Sequence, residues 1–273
     1  MINNTSICII GGYDALARSY FKELKKNHKS VIFINLLNNI YHDNDLYNFK
    51  IFELKRILDL LKLKNISEII FLGKIHRPNL SDFKTDGIVE KHIPLLLKAY
   101  KKGDGFVLSS VIKIFKKYKY NAISPIKYSD KFTLNHHSFN SNYSKKSQID
   151  IKKSIDLLNE LSKFDNAQSS VCVNGYILAI EAAEGTDALL KRVFEIRKNL
   201  DQLSIKSGYL TKKLKKNQSR LIDLPVIGPK TIKLLKKANL EGLAIDRKNT
   251  LVYRKQEVLK LISEFDLKIY SIS

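Results

Sequence analysis

The chain of 273 residues holds only two cysteines, Cys8 and Cys172. They offer no disulfide framework and no metal-ligand cluster, and such sparse thiols suit a reducing cytoplasm. Long apolar runs are missing too. No stretch of about 18 apolar residues occurs, which excludes an ordinary transmembrane helix. The opening MINNTSICIIGGYDALA has no basic region before its short apolar run, so it reads as a first strand and not as a signal peptide. The Gly-x-Gly-x-x-Gly fingerprint of dinucleotide binding is absent, because Tyr13 directly follows Gly11-Gly12. Acids are scarce as well: 27 stand against 48 lysines and arginines, a formal net charge of +21. That excess suits an anionic partner, whether nucleic acid, membrane surface or phosphorylated substrate. It equally suits a chain with lysines spread over solvated helix faces, as in KKNHK, FKKYKY and IKLLKK. Charge by itself leaves both readings open.

What is present is ordinary globular material, 44% apolar, long enough for one large domain or two medium ones. TSICII (5–10), VIFINL (31–36) and EIIFLG (68–73) are short apolar runs. Helical spacing over 14–26, with Leu16, Tyr20 and Leu24, and over 53–64 alternates with them. Strand–helix–strand–helix–strand predicts an open parallel sheet of Rossmann-like type, with a further helix at 105–119. Residues 124–148 are aperiodic and rich in Ser, Asn and Lys, which is linker composition. His136 and His137 within them read as surface-loop histidines. The expected organisation is a Rossmann-like domain over 1–123, a linker over 124–148 and a smaller mixed α/β domain over 149–273.

The second domain opens on an amphipathic helix with Ile151, Ile155, Leu158 and Leu161 on one stripe. SVCVNGYILAIEA then reads as a hairpin turning at Asn174-Gly175, because both central residues of a type I′ turn need positive φ. Thr186 is the expected N-cap of a helix at 187–198, with Asp187 in its first turn. A helix from Pro229 to Lys237, a strand pair around 243–253, a helix at 255–265 and a last strand LKIYSI follow.

Four stretches set Gly and polar residues at element ends: GKIHRP (73–78), KKGDG (101–105), EAAEGTD (181–187) and IDLPVIGPKT (222–231). Ligands of open α/β sheets bind beyond the carboxyl ends of strands. Glu181, Glu184, Asp187 and Asp223 are carboxylates of the kind that hold Mg²⁺ against substrate phosphates, or that simply end strands and start helices. Arg77 suits bidentate phosphate binding, and Lys102-Gly103-Asp104 a flexible anion-binding turn. LPVIGPKTIKLLKK approaches the helix-hairpin-helix pattern of DNA-binding proteins. Val226 stands where that turn needs its first Gly, no second copy occurs, and no basic run interleaved with aromatics marks a nucleic-acid face.

Taken in order, these motifs resemble a family. A Gly-rich strand end, G-x-x-x-R-P, K-G-D, E-A-x-E-G-T-D-A-x-x-x-R, D-L-P-x-I-G-x-x-T and L-E-G-L-A follow one another between Ile7 and Tyr270. Their sequence is similar to that of the UDP-2,3-diacylglucosamine pyrophosphatases of lipid A biosynthesis, the α/β type unrelated to calcineurin-like phosphoesterases. The resemblance implies two α/β domains with the active site between them. It implies Mg²⁺-dependent hydrolysis of the substrate diphosphate to UMP and 2,3-diacylglucosamine 1-phosphate. It maps the essential acid onto Asp223 and metal ligands onto Glu181, Glu184 and Asp187. Substrate contacts fall on Gly11, Gly12, Arg77, Lys102, Gly103, Asp104, Gly185, Thr186, Gly228 and Thr231. The partners it implies are a UDP-linked diacylated glucosamine, the inner face of the cytoplasmic membrane by peripheral contact, and no nucleic acid, with a homodimer compatible with the linker. Tyr13, Ala17, Gly105, Lys216, Ser219 and Arg220 depart from the family pattern. The alternatives are a helix-hairpin-helix nucleic-acid-binding protein and a nucleotide-sugar-binding relative without catalysis.

Overall fold

A computed structural model of the chain describes residues 3–75, 87–101, 103–128, 130–134, 143–215 and 219–272. Two compact units emerge: Met1–Ser129 with Ser219–Asp223, and Asp130–Gln218 with Leu224–Ser273. Both are α/β.

In the first unit β1 (Asn3–Gly11), β2 (His28–Asn35), β3 (Leu46–Asn48), β4 (Glu68–Phe71) and β5 (Asn121–Ala122) form a parallel sheet in the order β3-β2-β1-β4-β5. The continuous apolar runs are what a parallel sheet covered on both faces requires. Cys8, Ile10, Ile32 and Ile34 pack with Leu58 and Leu61 of α2 (Leu54–Leu63) and with Ile114 and Phe115 of α4 (Asp104–Lys117). Tyr20, Phe21 and Leu24 of α1 (Ala15–Asn27) are buried as well, and the Phe21 and Phe33 rings meet edge to face at 5.6 Å. Asp14 caps α1, its carboxylate accepting from the Ala17 N–H at 3.0 Å. One further helix, α3 (Ile93–Tyr100), comes from IPLLLKAY. Apolar residues on every side hide its period in the sequence. Ile222, from the late segment Ser219–Asp223, is buried in this same core.

The composition read as a linker begins in an ordered way. Residues Pro125–Tyr128 and Asp130–Phe132 are 3-10 turns. The Tyr20 hydroxyl donates to the Pro125 carbonyl at 2.5 Å, and Lys127 pairs with Glu68 at 2.8 Å. Leu134 is buried in the core of the second unit. His136 and His137 lie outside the described residues.

The second unit opens on α5 (Lys145–Leu161). Strands β6 (Ser169–Val173), β7 (Tyr176–Ile180), β8 (Tyr209–Lys212), β10 (Gly242–Ile245) and β12 (Lys268–Ser271) form a mixed sheet in the order β12-β10-β8-β6-β7. β10 runs parallel to β8 and β12, whereas β6 is antiparallel to β7 and β8. Helices α6 (Thr186–Asn199), α7 (Pro229–Lys237) and α8 (Lys255–Glu264) supply Leu190, Val193, Leu235 and Val258 to a core shared with Val171 and Leu243. The expected hairpin is present, with Asn174 at φ 51° and Gly175 at φ 78°. The buried Asp150 carboxylate of α5 accepts from both turn amides. The strand pair expected around 243–253 is not a pair. β10 joins the main sheet, and β11 (Leu251–Val252) runs parallel to β9 (Val226–Ile227) in a separate two-stranded ribbon. β10 is buried at all four residues, so it needs a neighbour on each edge and finds them in β8 and β12. Arg197, fully buried, donates to the carbonyls of Gln202, Ile205, Ser207 and Asn239. It thereby fixes the connection between α6 and β8.

Two buried histidines of the first unit make stability depend on pH. Burial pushes His28 and His92 below the usual imidazole value of 6.5; Glu68 opposes the shift at His28, while Lys117 and Lys91 add to it at His92. The unfolded chain takes up these protons first as pH falls, so their contribution is whole above about 6.5 and is lost on going down toward the lowered folded values. The expected result is a melting temperature that declines from pH 7.5 to 5.5, with a shallower slope in His28→Phe, followed by circular dichroism.

Candidate active site

The motif with the most specific sequence pattern lies at the end of β7. Glu181 leaves the strand with its N–H on the Ser169 carbonyl at 2.9 Å. The chain then turns through Gly185 at φ 81°, a left-handed value that favours glycine. A Cβ there would meet nothing within 4 Å, so conformation and not crowding selects it. Gly185 is the N-cap of α6, one residue before the expected cap, and no side chain caps the helix. Thr186 is instead the first helical residue because its hydroxyl is engaged elsewhere. It donates to Glu181 Oε1 at 3.0 Å and receives Lys212 Nζ at 2.6 Å.

Lys212, the last residue of β8, is 5% exposed. Its ammonium lies 3.4 Å from Ser169 Oγ and 3.8 Å from Glu181 Oε2. Register explains the meeting, since Ser169 and Lys212 are directly paired across β6 and β8. Glu181 Oε2 is buried and has no hydrogen-bond partner among the described residues. Lys212 was not legible as a site residue: in sequence it is one lysine of the run KKLKK.

Asp187, in the first turn of α6, reaches the first turn of α7. Its carboxylate accepts from the Thr231 hydroxyl at 3.3 Å and pairs with Lys230 at 3.0 Å. Gly228, extended at φ −152°, precedes α7 with Pro229 at the first helical position and no side-chain cap. Two helix N-termini whose N–H groups no side chain caps are therefore tied together, flanked by Lys212 and Lys230. Such termini favour anions through free N–H groups and the helix dipole. Gly185, Thr186, Gly228 and Thr231 all belong to this arrangement. The segment before α7 is strand β9 and not a helix. The stretch LPVIGPKT is thus strand–turn–helix, and a helix-hairpin-helix is not formed.

The three carboxylates read as metal ligands do not share one centre. Glu184 pairs with Arg192 at 2.9 Å, Asp187 with Lys230 and Glu181 with Lys212. No group of three His, Cys, Asp or Glu side chains among the described residues could hold a metal ion. Each of these acids has its own cation.

Asp223 belongs to the first unit. It is exposed, between buried Ile222 and buried Leu224, and sits at φ 59°. That left-handed backbone is uncommon for a non-glycine residue and is best tolerated by Asp and Asn. Two buried neighbours and a turned backbone fix the place of this exposed residue.

Gly11 and Gly12 lie where the sheet order changes direction, between β1 and β4. A Cβ on Gly11 would come within 2.0 Å of the Leu72 carbonyl oxygen, and one on Gly12 within 2.0 Å of that of Lys74. The space beside both is filled by backbone. Asp14, capping α1, also accepts from the Lys74 N–H at 2.9 Å, so a carboxylate already occupies the place where a dinucleotide fold binds phosphate. Tyr13 is buried among Phe21, Phe33 and Tyr41 and donates to Asp43 at 2.8 Å. Burial, with Asp43 beside it, pushes its hydroxyl up to about 12. Gly103, at φ 127°, precedes α4, and Asp104 begins it. Arg77 and Lys102 lie outside the described residues.

Comparison with known proteins agrees with the motif order. A family model described as the LpxI N-terminal domain matches residues 6–132, and one described as the LpxI C-terminal domain matches 136–270. The UDP-2,3-diacylglucosamine pyrophosphatase LpxI of Caulobacter vibrioides is 28% identical over 222 residues, 81% of this chain and 79% of that protein. With both domain models matched in order over nearly its whole length, the chain belongs to the LpxI family.

Proposed function

We propose that this protein is a UDP-2,3-diacylglucosamine pyrophosphatase. It adds water across the diphosphate of UDP-2,3-diacylglucosamine: the water oxygen bonds to one phosphorus, the bridging P–O bond breaks, and UMP and 2,3-diacylglucosamine 1-phosphate leave. Family membership makes it a hydrolase of a phosphoric anhydride in lipid A synthesis. The observation that carries the reading is the pair of helix N-termini, free of side-chain caps and joined through Asp187, with lysines beside them. Diphosphate oxygens accept from the N–H groups of α6 and α7 and from Lys230. Lys212 and Glu181 hold the Thr186 hydroxyl in place.

The proposed general base is the Asp223 carboxylate, which takes the proton of the attacking water. Mg²⁺ characteristically uses one or two carboxylates and completes its shell with water and substrate phosphate oxygens. A single exposed carboxylate suits that mode, and we assign the ion to Asp223. When bound, it neutralises charge on the diphosphate and acidifies water. The lipid nature of the substrate further implies peripheral contact with the inner face of the cytoplasmic membrane. No described helix is long and apolar enough to cross a membrane.

The decisive assay follows UMP and the diacylglucosamine phosphate by mass spectrometry after mixing purified protein with UDP-2,3-diacylglucosamine. Both products are expected in equal amounts, lost with EDTA and restored by Mg²⁺. Turnover that survives exhaustive chelation would remove the metal from the reading, and binding without products would favour a relative that has lost catalysis.

A further inference from the structure

Large exposed apolar side chains are scattered singly over most of this protein, which is normal. The first unit concentrates them on one helical pair. Leu95 is 40% exposed and Leu97 38% on α3, and Phe106 is 43% exposed on α4. Pro94 is exposed beside them, whereas Ala99 is buried and Ile93 and Leu96 pack on the core of the unit. At 100° per residue, Pro94, Leu97, Lys98 and Lys101 share the outer face of α3, with Leu95 at its margin. The core-facing side is thus already satisfied, and a second apolar stripe is left outside.

The segment that carries that stripe is rich in cations. Residues 87–119 contain eight lysines and two acids. Lys91, Lys98, Lys101, Lys113, Lys116 and Lys117 are exposed, and none forms an ion pair with a carboxylate among the described residues. Leucine and phenylalanine within a field of lysines are the chemistry of a helix that lies in a lipid headgroup layer. A protein partner would meet the same patch only by bringing a matching acidic rim. An anionic bilayer offers both the apolar layer and the negative charge. α3 has eight residues, about 12 Å of helix, far short of the roughly 30 Å hydrocarbon core, so it can lie on a bilayer but not span it.

We propose that the α3–α4 pair is the surface by which this protein docks on an anionic phospholipid bilayer, with Leu95 and Leu97 in the headgroup layer and the lysines over anionic lipids. The choice of a lipid partner rests on the reading of a lipid-borne substrate given above. The test uses the full chain and co-sedimentation with vesicles of phosphatidylcholine, with or without phosphatidylglycerol. Binding is expected to anionic vesicles, weakening as salt rises. Lys91→Gln with Lys98→Gln is expected to lower the partition coefficient roughly 25-fold, about fivefold for each charge. Leu95→Ser with Leu97→Ser is expected to lower it also at high salt, where charge contributes little. Melting curves establish that both variants are folded. Equal binding to neutral and anionic vesicles, or wild-type binding in both variants, overturns the proposal. A changed oligomeric state in the leucine variant with unchanged vesicle binding overturns it in favour of a protein interface. Turnover of detergent-dispersed substrate, read in parallel, separates the two ideas. It is expected unchanged in both variants, and its absence in the wild type would count against the hydrolase reading while the vesicle arm still decides the surface.

Discussion

Asp223→Asn is expected to lower the rate of UMP release by about 10³-fold while the melting temperature stays within a degree or two of wild type. The amide keeps the shape of the side chain and tolerates the left-handed backbone at φ 59°. It removes the charge and the proton acceptor. The residue is exposed, so no core contact is lost. Asp223→Ala should lose the same activity but also about 1 kcal/mol of stability, because alanine resists that backbone conformation. The pair of variants separates chemistry from strain. Activity within tenfold of wild type in the Asn variant would mean that the essential acid lies elsewhere, and Glu181, with one buried oxygen that accepts no hydrogen bond, would be next to replace.

Gly12→Ala is expected to destabilise the first unit by about 3 kcal/mol or more, near the upper end of overpacking effects. A melting transition lower by roughly 10 °C should follow. The added methyl would meet the Lys74 carbonyl oxygen at 2.0 Å, and Gly73, at φ 99°, faces Gly12 in the same way. Backbone meets backbone here, so no side chain can turn aside. Differential scanning fluorimetry and substrate titration together decide the matter. A normal melting temperature with a raised KM would make Gly12 a substrate contact after all, as its place in the family pattern implied.

Lys212 shows how far apart motif and site are in the chain. Residues 181–187 carry the recognisable pattern, yet the ammonium that touches Thr186 comes from the end of β8. Nothing in KKLKK marks Lys212 as the lysine paired with Ser169 across β6 and β8. Asp187 is similar. The sequence reads it as a first-turn acid, which it is, but its bonds to Lys230 and Thr231 of α7 come from tertiary packing.

The amino-acid sequence by itself determined the α/β class, the alternation of the first unit, the turn at Asn174-Gly175 and the family. These depend on local periodicity, on φ preferences and on motif order, all of which are written along the chain. Only the tertiary structure decided that Glu181, Glu184 and Asp187 each take a separate cation, that Gly11 and Gly12 face backbone, that LPVIGPKT is strand–turn–helix, and that Ser219–Asp223 packs with the first unit. Each of those depends on which distant residue comes within about 4 Å. Strand register and helix packing set that distance, and no local pattern encodes it.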